Sequence, residues 1–247
     1  MTDEQEILNH PGFPLYAKIV QRLYKSIDKV PKFSDNFSHY LFNLLSYPGA
    51  PEEDRVNTVV NIFKTYEALK EDIKHARKEY DTEQIVRSSY QFIDAKVQAN
   101  LQNDGNRSTC KRGCSYCCHL NVGIGKGEAK ILSKDLSHDQ IQHLKKQRDV
   151  LTKLGKDNYE DFPHEVDWET SACVFLKNNE CSVYEDRPMA CRMYYVVTEP
   201  KLCDVISNKD GKTGQLVTYE AEIMRAVITH YYHNKPMPIY ILQERGE

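Results

Sequence analysis

The first 109 residues of this chain contain no cysteine, and neither do the last 44. All eight cysteines fall between them, at Cys110, Cys114, Cys117, Cys118, Cys173, Cys181, Cys191 and Cys203. Thiols used only as small core residues would be scattered along the chain. No stretch reaches the roughly 20 apolar residues that a bilayer span needs. The start, MTDEQEILNHPGF, has neither a basic opening nor an apolar run, so no secretory signal is expected. The default location is then the cytoplasm, where thiols stay reduced and a disulfide framework is disfavoured. Charge of one sign is also missing. A net charge of −3 on 247 residues gives no reason to expect a nucleic-acid partner, and no membrane partner is expected either. The motifs GxSxG and HExxH are absent.

A chain of 247 residues can bury a sizeable core without cross-links, as one large domain or two small ones. Mean hydropathy is −0.64, that of a well-solvated protein. The first hundred residues read as helices. Leu15, Ile19, Leu23 and Ile27 draw one stripe, and Phe37, Leu41, Leu44 and Leu45 a second, ending at Pro48-Gly49. Pro51, Glu52, Glu53 and Asp54 make a helix start for the stripe Val56, Val59, Val60, Phe63, Tyr66, Leu69 and Ile73. A fourth helix follows Thr82, and Asn103, Asp104, Gly105 and Asn106 close the region as a turn.

Beyond that point Glu128 to Lys134 and Ser137 to Leu154 read as helices, with Ser137 and Gln140 as a capping box. Residues 155–172 read as irregular. Cys173-Val174-Phe175-Leu176 and Cys181-Ser182-Val183-Tyr184, on either side of Asn178-Asn179, predict a short hairpin. Arg187-Pro188 starts a brief helix carrying Cys191, and Tyr219, Ile223, Val227 and Tyr231 predict a final helix packing back on the body. The expected fold is mainly α, with a helical N-terminal region followed by a small α+β cysteine-cluster domain. The division expected is 1–104 helical, 105–205 cysteine cluster, and 206–247 a C-terminal helix.

The first thiol group is Cys110-x3-Cys114-x2-Cys117-Cys118. Ligands two to four residues apart can converge on one ion from a tight turn. Gly113 suits such a turn, and Lys111 and Arg112 favour the thiolate. The second group, Cys173-x7-Cys181-x9-Cys191-x11-Cys203, must come from separate elements and meet the first only on folding. Neighbouring Cys117 and Cys118 point in different directions, so they serve one ion unequally or serve different ones. Eight thiols allow two four-sulfur sites, or one site with a spare set. Metal or cluster binding outweighs structural thiols or disulfides here, and both zinc and iron–sulfur clusters accept four thiolates.

These residues resemble the CxxCxxCC family, a YkgJ-type cysteine cluster described as zinc- or iron-chelating. The pieces that carry the resemblance are Cys110-x3-Cys114-x2-Cys117-Cys118, Cys173-Val-Phe-Leu, Cys181-Ser-Val-Tyr-Glu-Asp-Arg-Pro-x2-Cys191-Arg, and Cys203. The family's first spacing is usually CxxC, whereas here it is Cys-x3-Cys. The resemblance implies all eight cysteines as ligands of an iron–sulfur cluster, [4Fe–4S] first, or of zinc. Some members resemble flagellin lysine N-methylases, so protein lysine methyl transfer is one alternative and a structural-zinc interaction module, docking a protein partner, is another. Arg187, Pro188 and Arg192 match an RPxxCR pattern, and Glu128 stands where the family often has an acid. A structural role is the plainer reading for all four.

Three further signals carry plain readings. Gly123-Ile-Gly125-Lys126-Gly127-Glu128 departs from a Walker A loop and reads as a turn into a helix. His119 could ligate a metal, but the thiols make it unnecessary, and His230 and His233, three apart near a helix end, read as a surface pair. The sixteen tyrosines fall mostly on apolar stripes, as core residues with a wet hydroxyl.

Overall fold

A computed structural model describes residues 9–23, 31, 33–103, 107–153, 166–204, 208 and 213–247. Ile27, the turn residues 104–106 and positions 154–165 lie outside it. The chain divides into two compact units, residues 1–80 with 219–231 and residues 81–218 with 232–247.

The first unit is helical. Helix α1 (Phe13–Leu23), α2 (Asp35–Ser46) and α3 (Glu52–Ala76) follow the expected stripes. Ser34 caps α2 by accepting from Phe37 N at 3.2 Å, and Glu52, Glu53 and Asp54 occupy the first turn of α3 where the helix dipole favours acids. The unit returns at α9 (Tyr219–Tyr232). Phe37, Leu41, Phe63 and Tyr66 are almost completely buried.

The second unit carries every cysteine. It opens with α4 (Thr82–Gln102), started by a capping box in which Gln84 N donates to Asp81 at 2.9 Å and Asp81 N donates to Gln84 at 3.0 Å. A 3-10 turn, Tyr116–His119, leads to strand β1 (Gly123–Gly125), α5 (Lys126–Leu132) and α6 (His138–Lys153). The Ser137–Gln140 box is present at the start of α6, with bonds of 3.0 and 3.2 Å. Then come α7 (Trp168–Ser171), the hairpin β2 (Leu176–Lys177) and β3 (Glu180–Cys181), and α8 (Met189–Met193). After a further 3-10 turn, Pro200–Cys203, the unit resumes at β4 (Asn234–Pro236) and α10 (Met237–Glu244).

Strand β4 pairs antiparallel with β1, and α10 packs on α5 and α6. Ile124, Ala129, Leu132, Leu144, Phe175 and Ile241 form the core of this unit, and Cys173 packs against it.

Mainly helical structure with only small two-stranded sheets is what the sequence predicts. Three details differ. Helix α4 belongs to the cysteine-bearing unit rather than to the preceding helices, because its apolar face packs on α5 and α8. The C-terminal stretch divides at residue 231 instead of acting as one piece. The tail also holds two helices where one was expected. Pro236 at the N-cap and Pro238 in the first turn, where a missing N–H costs nothing, preset the backbone angle for a fresh start at α10. Among the described residues, no helix is long and apolar enough to cross a membrane.

Candidate metal centre

The first thiol group is shaped by turns. Cys114 N donates to Lys111 O at 3.0 Å, and Gly113 inside that turn has φ +83°. A side chain there would strain the backbone. The 3-10 turn that follows carries Cys117 and Cys118, with Cys118 N donating to Ser115 O at 2.9 Å. The group is anchored ahead of Cys110, where Thr109 N donates to Val196 O at 2.9 Å. Val196 N in turn donates to the Cys110 sulfur at 3.4 Å.

The second group is brought to the first by backbone bonds. Cys173 N donates to Cys118 O at 2.7 Å, joining residues far apart in sequence. Leu176 N then donates to Cys173 O at 2.8 Å, and Leu176 faces Cys181 across the hairpin. The hairpin loop is Asn178-Asn179, with φ of 52° and 60°. Both residues in the left-handed region match the twist of a two-residue type I′ turn, which asparagine tolerates. Cys191 lies in the middle of α8, and Cys203 ends a 3-10 turn that packs against the turn holding Cys117 and Cys118.

All eight cysteines are free thiols. The thiol of Cys117 interacts with those of Cys114, Cys173, Cys181, Cys191 and Cys203, less strongly than burial acts on each of them. The hydrogen bond with Cys118, followed by burial, pushes Cys117 far above the usual thiol range. Burial raises Cys173 to about 12 and Cys203 to about 11, and lifts Cys191 well up. Burial also raises Cys114 and Cys181, the latter against the pull of Arg187 and Arg192. Burial holds these six thiols in the neutral form, and neighbouring thiols add to it. Among the described residues, no three Cys, His, Asp or Glu side chains stand in a metal-gripping arrangement.

The RPxxCR residues form a polar frame around Cys191. Arg192 is 3% exposed. Its Nε donates to Arg187 O at 2.9 Å, its two terminal nitrogens donate to Asp94 and to Glu185 O, and its guanidinium lies 4.0 Å from the Tyr90 ring centre. Arg187 stacks on Tyr184 at 3.8 Å and reaches Asp94 at 3.6 Å. Arg112 makes a two-pronged ion pair with Glu180 at 2.8 and 2.9 Å, linking the first loop to the strand of Cys181. At 87% exposure of Arg112 it adds little stability. Asp94 gave no sequence signal, since it and Arg192 lie 98 residues apart, and Tyr90 read only as part of the apolar stripe of the fourth helix.

The other candidates have structural settings. His119 is buried and stacked on Trp168 with ring centres 3.3 Å apart. Its Nδ1 lies 3.1 Å from both Trp168 O and Ser171 Oγ, and burial lowers its pKa, so the ring is neutral. His230 meets Tyr231 edge-on, and His233 has φ +49° just past α9. The glycine cluster serves packing: a Cβ on Gly127 would meet Val86 at 2.6 Å and Thr82 at 2.7 Å.

Searches of curated proteins and of solved structures each returned no match to this chain. Residues 109–215, less than half of the chain, match the CxxCxxCC family model, "putative zinc- or iron-chelating domain", and Cys110, Cys114, Cys117 and Cys118 fit its motif.

Proposed function

We propose that this chain is a metal-binding protein in which Cys110, Cys114, Cys117, Cys118, Cys173, Cys181, Cys191 and Cys203 supply the thiolate ligands. The occupant argued for is an iron–sulfur cluster, with zinc as the second reading. The observation that supports it is that segments carrying free thiols meet: Cys173 N donates to Cys118 O at 2.7 Å, and the 3-10 turn ending at Cys203 packs on the turn holding Cys117 and Cys118. Their burial is unfavourable for ionised thiols in a metal-free protein, and a bound cation reverses that balance by stabilising every thiolate at once. The donor set is sulfur throughout, which suits zinc or iron–sulfur chemistry rather than magnesium or calcium. When bound, iron would supply one-electron redox chemistry, whereas zinc would supply a fixed cross-link.

The chain's own part is assembly. The bond from Cys173 N to Cys118 O and the hairpin turn bring the two thiol groups together, and Arg192 holds the loop that leads to Cys191. Because buried thiols hold their protons, loading releases them. A reducing compartment such as the cytoplasm suits this chemistry.

Anaerobic purification with an absorption spectrum and elemental analysis tests the reading. A brown protein absorbing near ~400 nm supports iron–sulfur. A colourless protein with stoichiometric zinc supports the interaction-module alternative. A preparation that takes up neither metal, even after reconstitution, overturns both. Lysine methyl transfer is checked by mass spectrometry of lysine-rich protein substrates incubated with the loaded protein and a methyl donor.

A further inference from the structure

One buried carboxylate outside the thiol set is used twice. Glu128 is 3% exposed and lies in the first turn of α5. Its Oε2 accepts from Gly125 N at 2.8 Å, closing the start of its own helix. Its Oε1 accepts from Met189 N at 2.7 Å, and Met189 is the first residue of α8. The Tyr90 hydroxyl on α4 stands 3.5 Å from that same oxygen.

Helix α8 has five residues, too few to hold itself in place. Pro188 at its N-cap gives no side-chain cap, so the opening N–H groups need an outside acceptor. Cys191 follows Met189 by two positions, and its thiol feels the Glu128 charge. On the far side, Arg192 fixes the same short helix through Arg187 O and the Tyr90 ring. Cys191 is therefore bracketed by an anion that grips the residue two before it and a cation that is the residue after it.

We infer that Glu128 is a positioning residue: by holding the Met189 N–H it sets where Cys191 presents its sulfur to the metal centre. The inference rests on the metal-centre reading. Glu128→Gln preserves shape but offers one acceptor oxygen and one donating amide, so it cannot satisfy both Gly125 N and Met189 N. Residues that orient a ligand indirectly typically change metal affinity by about 10–100-fold when removed.

The test measures metal transfer from anaerobically loaded full-length protein to a chromogenic chelator. Visible circular dichroism of the centre and thermal unfolding of the metal-free form are recorded beside it. Glu128→Gln is expected to release metal about 10-fold faster or more and to alter the dichroism of the centre. Leu151→Ala, a core change in the same unit, lowers the unfolding midpoint and is expected to leave the release rate within about threefold of wild type. If Glu128→Gln fails to fold, Glu128→Asp, whose shorter side chain falls short of Met189 N, takes its place with the same expected acceleration of about 10-fold. Wild-type release rates in the folded variant, or equal acceleration in Leu151→Ala, overturn the inference. Failure of the wild-type protein to bind metal overturns the metal-centre reading instead, so the two failures are distinct.

Discussion

Replacing Arg192 by alanine should be among the most damaging single changes in the cysteine-bearing unit. The guanidinium is 3% exposed and makes a charge-assisted bond to Arg187 O at 2.9 Å, worth about 1.5–3 kcal/mol. Contacts to Asp94 and Glu185 O are lost too. These count for less, since the Asp94 side chain is 40% exposed and can rehydrate. About 1 kcal/mol each is a fair allowance. Stacking on Tyr90 at 4.0 Å adds about 0.5–2 kcal/mol. The total is about 4–7 kcal/mol, at or above the ~3–5 kcal/mol that removal of one partner from a buried ion pair costs. At about 2–4 °C per kcal/mol for a unit of this size, the midpoint should fall by at least about 8 °C. The assay is thermal unfolding of the metal-free protein, followed by far-UV circular dichroism under reductant. Arg192→Lys keeps the charge but loses the fork and should recover only part of the loss. A fall of less than about 3 °C for Arg192→Ala would refute the view that this residue frames the Cys191 segment.

Gly127→Ala should lower stability by about 1–3 kcal/mol in chemical denaturation, because its Cβ would fall 2.6 Å from Val86 and 3.3 Å from the backbone oxygen of Thr82. Asn179→Val places a β-branched residue at φ 60° and should cost about 1–2 kcal/mol, whereas Asn179→Gly should be neutral or stabilising, again by denaturant midpoint. The metal-free protein should lose stability as pH rises above about 8.5, the unfolded thiol value. Cys203 and Cys173 titrate at about 11 and about 12 when folded, so the native state holds protons that the unfolded state has released. Stability is intact below the unfolded value and falls between pH ~8.5 and those folded values by about 1.4 kcal/mol per unit per thiol. A midpoint that climbs with pH in that window contradicts the burial of these thiols. In the loaded protein the same protons have been displaced by metal, so apparent metal affinity should rise with pH, as read by competition with a chelator.

Much of the helical structure was legible because a stripe such as Val59, Phe63 and Tyr66 reports directly that one helix face is buried. The hairpin's turn was legible because Asn178-Asn179 tolerates left-handed backbone angles, but its strands are only Leu176–Lys177 and Glu180–Cys181, each overlapping the expected runs 173–176 and 181–184 at one residue. A stripe does not say what covers it, which is why α4 read as one more N-terminal helix although it packs on α5 and α8. The pairing of Gly123 with Pro236 spans most of the second unit and leaves no local pattern. Helix α10 was hidden because Tyr219 to Tyr231 already looked terminal. At the candidate centre, cysteine spacing pointed to the sulfur atoms, but the double use of Glu128 and the Asp94–Arg192 pair depend on contacts between distant segments.

X-ray absorption spectroscopy at the metal edge of the anaerobically purified full chain tests the central claim most directly. The account predicts a first coordination shell of sulfur alone, at about 2.3 Å for zinc, with iron–iron scattering added if a cluster is present. A shell dominated by nitrogen or oxygen, or a protein without metal at any edge, would contradict it.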